Sequence, residues 1–127
     1  MTSESQNAVR YAIGDQDDRP WGSWRVVDVG ARFTTKRIEV KPGHRLSLQT
    51  HQHRSEYWVI VSGTGEATIG DERISVEPGH SLHIPCETKH RIHNTGDAAL
   101  VFVEVQLGDL LDENDITRLE DDYSRIT

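Results

Sequence analysis

The segment Ser47-Leu48-Gln49-Thr50-His51-Gln52-His53-Arg54-Ser55-Glu56-Tyr57-Trp58 concentrates groups that can hold a cation or move a proton. On a strand, alternate side chains share a face, so Gln49, His51 and His53 are expected to point the same way. Glu56 follows after a short break and opens an apolar stretch, and His90 follows Pro85 in a second polar turn far along the chain. Two imidazoles and a carboxylate from one hairpin, with a third imidazole from elsewhere, make a His₃Glu set for one divalent metal ion per chain. Such nitrogen and oxygen donors suit Zn²⁺ first, and Mn²⁺, Fe²⁺, Co²⁺ or Ni²⁺ as well, and can leave coordination positions open to a substrate. Gln49 is an alternative ligand, although a neutral amide is a weaker donor than imidazole and suits a hydrogen bond to substrate. Without Glu56 and His90, His51 and His53 would read equally well as surface polar residues on a strand.

The elements that must position these groups are short. Strands are expected at Trp24–Val29, Phe33–Val40, Leu46–His53, Tyr57–Ser62, Glu66–Ile69, Arg73–Val76, Ser81–Ile84, Arg91–Asn94 and Ala98–Gln106. Turn residues separate most of them, among them Gly30, Pro42-Gly43, Gly63-Thr64-Gly65, Gly70-Asp71, Pro78-Gly79 and Asn94-Thr95-Gly96. Many short strands with no helical pattern between them indicate an antiparallel sandwich or barrel, an all-β fold. Residues 1–18 are polar and are expected to form a flexible or loosely docked arm, leaving 19–127 as one domain. In the tail, Ile116, Leu119 and Tyr123 lie three and four apart, behind Asp112-Glu113-Asn114-Asp115. That pattern predicts a short C-terminal helix over 115–123 packed on the sheet, with acidic residues at its N-terminus. Since every proposed ligand precedes it, its removal is expected to leave metal binding intact.

A length of 127 residues suits a single domain. With 21 acidic against 14 basic residues and a net charge of -7, the chain lacks the electrostatic footprint of a protein that binds nucleic acid or an anionic membrane. Any phosphate must therefore be held by local donors. The single Cys86 excludes an intramolecular disulfide and a multi-cysteine zinc site. No apolar run approaches the roughly 20 residues that span a bilayer. The opening Met1-Thr2-Ser3-Glu4-Ser5-Gln6-Asn7 lacks the basic and apolar regions of a secretory signal, so a cytoplasmic location is expected.

The spacings carry a resemblance. Glu56-x6-Gly63, followed by Gly79-x5-Pro85-x4-His90-x3-Asn94, resembles the two motif elements of the cupin superfamily. The first element usually runs Gly-x5-His-x-His-x3–4-Glu-x6-Gly; here Gly43 stands further from His51, and only two residues separate His53 from Glu56. In the second, Glu87 stands where a glycine is common. Within the cupins, Arg19-Pro20-Trp21-Gly22, Lys36-Arg37-Ile38, the run from Leu46 to Trp58, Val61-Ser62-Gly63-Thr64-Gly65 and the ending Asn114-Asp115-Ile116-Thr117-Arg118 resemble the type II mannose-6-phosphate isomerase domain. The resemblance implies a double-stranded β-barrel, or jelly roll, and an activity that interconverts mannose 6-phosphate and fructose 6-phosphate. In many relatives this domain follows a nucleotide-sugar guanylyltransferase domain; this chain is expected to act as a stand-alone isomerase.

That activity assigns further roles. The resemblance implies His51, His53, Glu56 and His90 as metal ligands. With Glu56 consumed as a ligand, His93 and Glu104 are the candidate bases for moving a proton between two sugar carbons. Arg54, beside the ligand hairpin, is the expected phosphate contact, with Gln49, Lys36 and Arg118 also on substrate and Arg125 just beyond. Trp21, Trp24 and Trp58 are expected in the core, and His44, His80, His83 and Cys86 as structural or surface residues. Leu46 and Leu48, opposite the ligand face, offer an apolar surface for a homodimer. The same ligand set also suits a sugar-phosphate- or small-molecule-binding cupin without turnover, or a metal-dependent dioxygenase.

Overall fold

The computed structural model describes residues 11–112 and 114–123. Eleven strands account for the regular structure among them: β1 (Gln16–Arg19), β2 (Gly22–Val29), β3 (Phe33–Val40), β4 (Leu48–Thr50), β5 (Arg54–Ser62), β6 (Gly65–Ile69), β7 (Glu72–Val76), β8 (Ser81–Ile84), β9 (His90–Asn94), β10 (Leu100–Gly108) and β11 (Thr117–Glu120). They form two antiparallel sheets, ordered β1-β2-β3-β10-β5-β8 and β11-β4-β9-β6-β7. This is the all-β fold expected from the turn spacing and the double-stranded barrel that the cupin resemblance implies. None of the described residues belongs to a helix long and apolar enough to cross a membrane.

Alternation decides what fills the barrel. On β3, β5 and β10 every second residue points inward, and each strand changes character along its length. The inward residues Ile38, Val40, Trp58, Ile60, Leu100 and Phe102 form an apolar floor. Toward the other end the same faces carry Thr34, Lys36, Arg54, Glu56, Glu104 and Gln106, all buried. The register aligns these layers, with Glu104 opposite both Lys36 and Trp58 and Phe102 opposite Ile38 and Ile60. Burying each large apolar side chain of the floor contributes about 1.5–3 kcal/mol, and this supports the buried polar layer above it. Gly63 lets the chain pass between sheets at φ +84°, where a Cβ would come within 2.5 Å of the Ala99 carbonyl oxygen.

Three sequence expectations change. The tail is not helical: Thr117, Arg118 and Glu120 pair with Thr50, Gln49 and Leu48 as an extra strand. Leu119, at the irregularity in that pairing, is 46% exposed, so the three-and-four stripe does not form a buried face. The open backbone edge of β4 supplies hydrogen-bonding partners that a helix of nine residues, marginal by itself, could not match. Arg45 with Asp122 (2.7 and 2.9 Å), Arg91 with Glu120 (3.1 Å) and the stacked rings of His44 and Tyr123 pin the tail in place. Second, the stretch expected as one strand over 46–53 is strand only at Leu48–Thr50, and the chain turns at residues 51–53 before β5 begins. Third, Leu46 is buried in the core and cannot form the dimer surface; Tyr57, Val59, Val61 and Leu107 are the exposed apolar residues of β5 and β10. Of the arm, residues 1–10 lie outside the described residues, while Gln16–Arg19 pair with β2 and Tyr11 meets Trp24 edge-on at 5.8 Å.

Candidate metal centre and substrate cavity

Three strands bring the central groups together. Glu56 projects inward from β5, His90 opens β9, and His51 follows directly after β4. His51 Nε2 lies 3.2 Å from Glu56 Oε2, and His90 Nε2 lies 3.7 Å from Glu56 Oε1. All three side chains are buried, and their ligand atoms fall within 4.8 Å of one another. Both rings are oriented by backbone carbonyls: His51 Nδ1 donates to Asp115 O at 2.6 Å, and His90 Nδ1 donates to Thr88 O at 2.8 Å. A carbonyl can only accept, so each Nδ1 carries the hydrogen and each Nε2 presents a lone pair to the cluster.

Those lone pairs and the Glu56 carboxylate make an acceptor-rich centre. Burial would raise the Glu56 carboxyl, but the Arg54 guanidinium, ahead of the two histidines, holds it well below the usual carboxylate range. Burial also pushes the His90 imidazole down, which keeps it neutral at neutral pH. Arg54 donates from Nε to Glu56 Oε2 at 2.9 Å and from Nη2 to His51 Nε2 at 3.2 Å, leaving Nη1 buried without a hydrogen-bond partner. His90 Nε2 is likewise buried without a partner. A neutral imidazole nitrogen facing a carboxylate oxygen in a buried site suits a cation between them, and two anchored imidazoles with one carboxylate suit a divalent metal.

Beside this centre is a cavity. Its lining includes Gln49, His51, Arg54, Glu56 and Glu104, with Arg19, Lys36 and Arg118 as further cations and Tyr11, Trp21 and Trp24 as aromatics. Lys36 Nζ sits 3.9 Å from the Tyr11 ring centroid and 4.2 Å from that of Trp24, within cation–π range. The Trp58 indole N–H bridges the two carboxyl groups, at 3.0 Å from Glu56 and 3.1 Å from Glu104. Gln106 Nε2 donates to the other Glu104 oxygen at 2.7 Å. Burial first, and then the Glu56 charge, pushes the Glu104 carboxyl up to about 8, so it retains its proton at neutral pH.

The structure thus gathers His51, Glu56 and His90 and places Gln49, Arg54, Lys36, Glu104 and Arg118 around one cavity. Two expected residues are elsewhere. His53 is exposed and outside the cluster, because the turn at residues 51–53 breaks the alternation that would have aligned it with His51. His93 alternates with the inward Ile92 and Asn94, and lines a groove with Arg45, Glu66 and Arg91 on the other side of its sheet. Arg125 lies outside the described residues. Arg19, Tyr11 and Asp115 were missed as site residues. Arg19 and Asp115 belonged to motifs already noted, whereas Tyr11 carried no periodic signal and reaches the site only through tertiary packing.

Comparison with known proteins places this geometry. Residues 6–121 match the family model described as "Mannose-6-phosphate isomerase C-terminal". The chain is 50% identical over 107 residues to a xanthan biosynthesis protein, XanB, of Xanthomonas campestris, covering 84% of this chain and 23% of that protein. It is also 50% identical over 107 residues to an alginate biosynthesis protein, AlgA, of Pseudomonas aeruginosa, covering 84% of this chain and 22% of that protein. The chain therefore spans less than a quarter of the length of these relatives. Among solved structures, an oxalate decarboxylase of Lactobacillus farciminis superposes with a TM-score of 0.72 at 21% identity, over 83% of this chain and 33% of that one. That likeness is one of fold.

Proposed function

The chain belongs to the mannose-6-phosphate isomerase C-terminal family, and on that premise we propose that it is a metal-dependent isomerase interconverting mannose 6-phosphate and fructose 6-phosphate. The observation that carries the reading is the juxtaposition of an acceptor-rich His51–Glu56–His90 centre with a cavity bordered by Arg19, Lys36 and Arg118. The first is built for a divalent cation, zinc foremost, with Gln49 as a further ligand, and the second for an anionic substrate. A bound divalent ion would supply Lewis-acid polarisation of the open-chain sugar carbonyl.

The chain's own residues supply the rest. Lys36 and Arg118 attract and orient the phosphate, and the unpartnered Nη1 of Arg54 offers it one more donor. Glu104, held in place by Trp58 and Gln106, takes the carbon-2 proton in its ionised form, the minor one at neutral pH given a carboxyl raised to about 8, and returns that proton to carbon 1 as the acid. The aromatic wall of Tyr11, Trp21 and Trp24 limits water around the sugar. The proposal extends to a homodimer through the outer face of β5 and β10, where exposed Tyr57, Val59, Val61 and Leu107 form an apolar strip on an otherwise charged chain; sizing in solution checks it.

Incubating metal-loaded protein with mannose 6-phosphate and following fructose 6-phosphate tests the reading. Product formation that stops on chelation is expected. Saturable binding of mannose 6-phosphate with no product would replace it with a sugar-phosphate-binding role, and oxygen consumption on a small acid would favour the dioxygenase.

A further inference from the structure

Asp115 touches the loop that carries His51 at three points. Its backbone oxygen accepts the His51 Nδ1 hydrogen, and its carboxylate accepts the Gln52 and His53 backbone N–H groups, one on each oxygen, at 2.9 Å apiece. The carbonyls of the same loop are taken from the other side, where Glu87 N–H donates to His51 O and Cys86 Sγ to Gln52 O, both at 2.8 Å. The backbone of residues 51–53 is therefore clamped between two segments remote in sequence. Asp115 also stands immediately ahead of β11, whose Thr117 and Arg118 pair with Thr50 and Gln49.

This arrangement answers a specific chemical need. His51 can offer its Nε2 lone pair only when its hydrogen resides on Nδ1, and in solution an imidazole is free to take either tautomer. The Asp115 carbonyl selects this tautomer together with the Arg54 donor at Nε2, and it fixes the ring plane only while it stays in place. The carboxylate keeps it there by binding the next two N–H groups of the very loop it serves. Two converging N–H donors need an acceptor at each oxygen, so an amide in this position would turn an NH₂ group toward one of them.

We infer that Asp115 is a positioning residue of the centre, fixing the tautomer and orientation of His51 through its contacts to residues 51–53. The inference rests on the metal reading of His51, Glu56 and His90 given above. Its test compares the full-length wild type with Asp115→Asn, Asp115→Ala and Asp122→Ala. Asp122 pins the tail through Arg45 without touching His51, so its variant loosens the tail while leaving the Asp115 contacts in place.

Two quantities are read: Co²⁺ and Zn²⁺ affinity by competition with a chromophoric chelator, and the His51 tautomer in metal-free protein by ¹⁵N NMR of the imidazole nitrogens. The Asp115 variants are expected to bind both ions about 10–100-fold more weakly, the usual scale for losing a group that orients a ligand. Their His51 should change from the Nδ1–H form to a mixture, whereas Asp122→Ala keeps wild-type affinity and tautomer despite a lower Tm. Unchanged affinity and tautomer in the Asp115 variants would overturn the inference, even with a lowered Tm. If Asp115→Ala does not fold, the isosteric Asp115→Asn carries the comparison. A wild type that takes up neither ion would overturn the metal reading instead, and the tautomer measurement alone would then decide whether Asp115 sets His51.

Discussion

His90 Nε2 and Glu56 Oε1 face each other across 3.7 Å with both side chains almost fully buried, and the nitrogen has no donor near it. Leaving a buried polar group unmatched costs about 1–3 kcal/mol, so the pair makes sense as half of a coordination sphere. At this scale the sharpest expectation separates the three histidines. His51→Ala and His90→Ala should lose stoichiometric metal, and His53→Ala should retain it, as measured by elemental analysis after dialysis. Loss in His53→Ala with retention in His51→Ala would return the ligand role to the exposed ring. The sequence held the cue. Read with Gln49 and His51 in the paired positions, the first cupin element becomes Gly43-x5-Gln49-x-His51-x4-Glu56-x6-Gly63, and both spacing departures disappear. The attraction of a literal His-x-His hid it. Of the two candidate bases, Glu104 lies on the inward face of its strand, whereas His93 faces outward from its own.

Among the elements, the inward faces of β3, β5 and β10 could be read from alternation, because each strand's periodicity is local. The tail could not. Ile116, Leu119 and Tyr123 fit a helical spacing, but what decides the conformation is the free edge of β4, some seventy residues away in sequence, which no local pattern records. A tail that pairs with β4 and contacts His51 through Asp115 is therefore part of the scaffold of the proposed centre and not a cover laid over it. The turn before β9 is the second lesson. Glu87 adopts φ +63°, the left-handed conformation, which explains why glycine is common at that motif position. A non-glycine residue there costs about 1–2 kcal/mol, and glycine's greater freedom in the unfolded chain returns about 0.5–1 of it. Glu87→Gly should therefore raise stability by about 0.5–1 kcal/mol, and the β-branched Glu87→Val should lower it, both measured by urea denaturation. A destabilised Glu87→Gly would mean that the glutamate side chain contributes more than its backbone strain takes away.

For the whole molecule, the barrel divides into an apolar floor that supplies stability and a polar layer that holds the proposed centre, and the tail strand closes the second sheet beside that layer. A chain of net charge -7 nonetheless directs Arg19, Lys36, Arg54 and Arg118 toward one cavity, against Glu56 and Glu104. Such local concentration is what a protein without a global positive field needs to attract a phosphorylated substrate. The central claim is that this cavity moves a proton between neighbouring sugar carbons beside a metal held by His51, Glu56 and His90. Proton NMR of mannose 6-phosphate in D₂O with the metal-loaded chain tests it most directly. The account predicts fructose 6-phosphate signals together with exchange of the carbon-2 hydrogen, both abolished by Glu56→Gln. Mannose 6-phosphate that keeps its carbon-2 hydrogen and yields no fructose 6-phosphate, with metal bound at full occupancy, would contradict it.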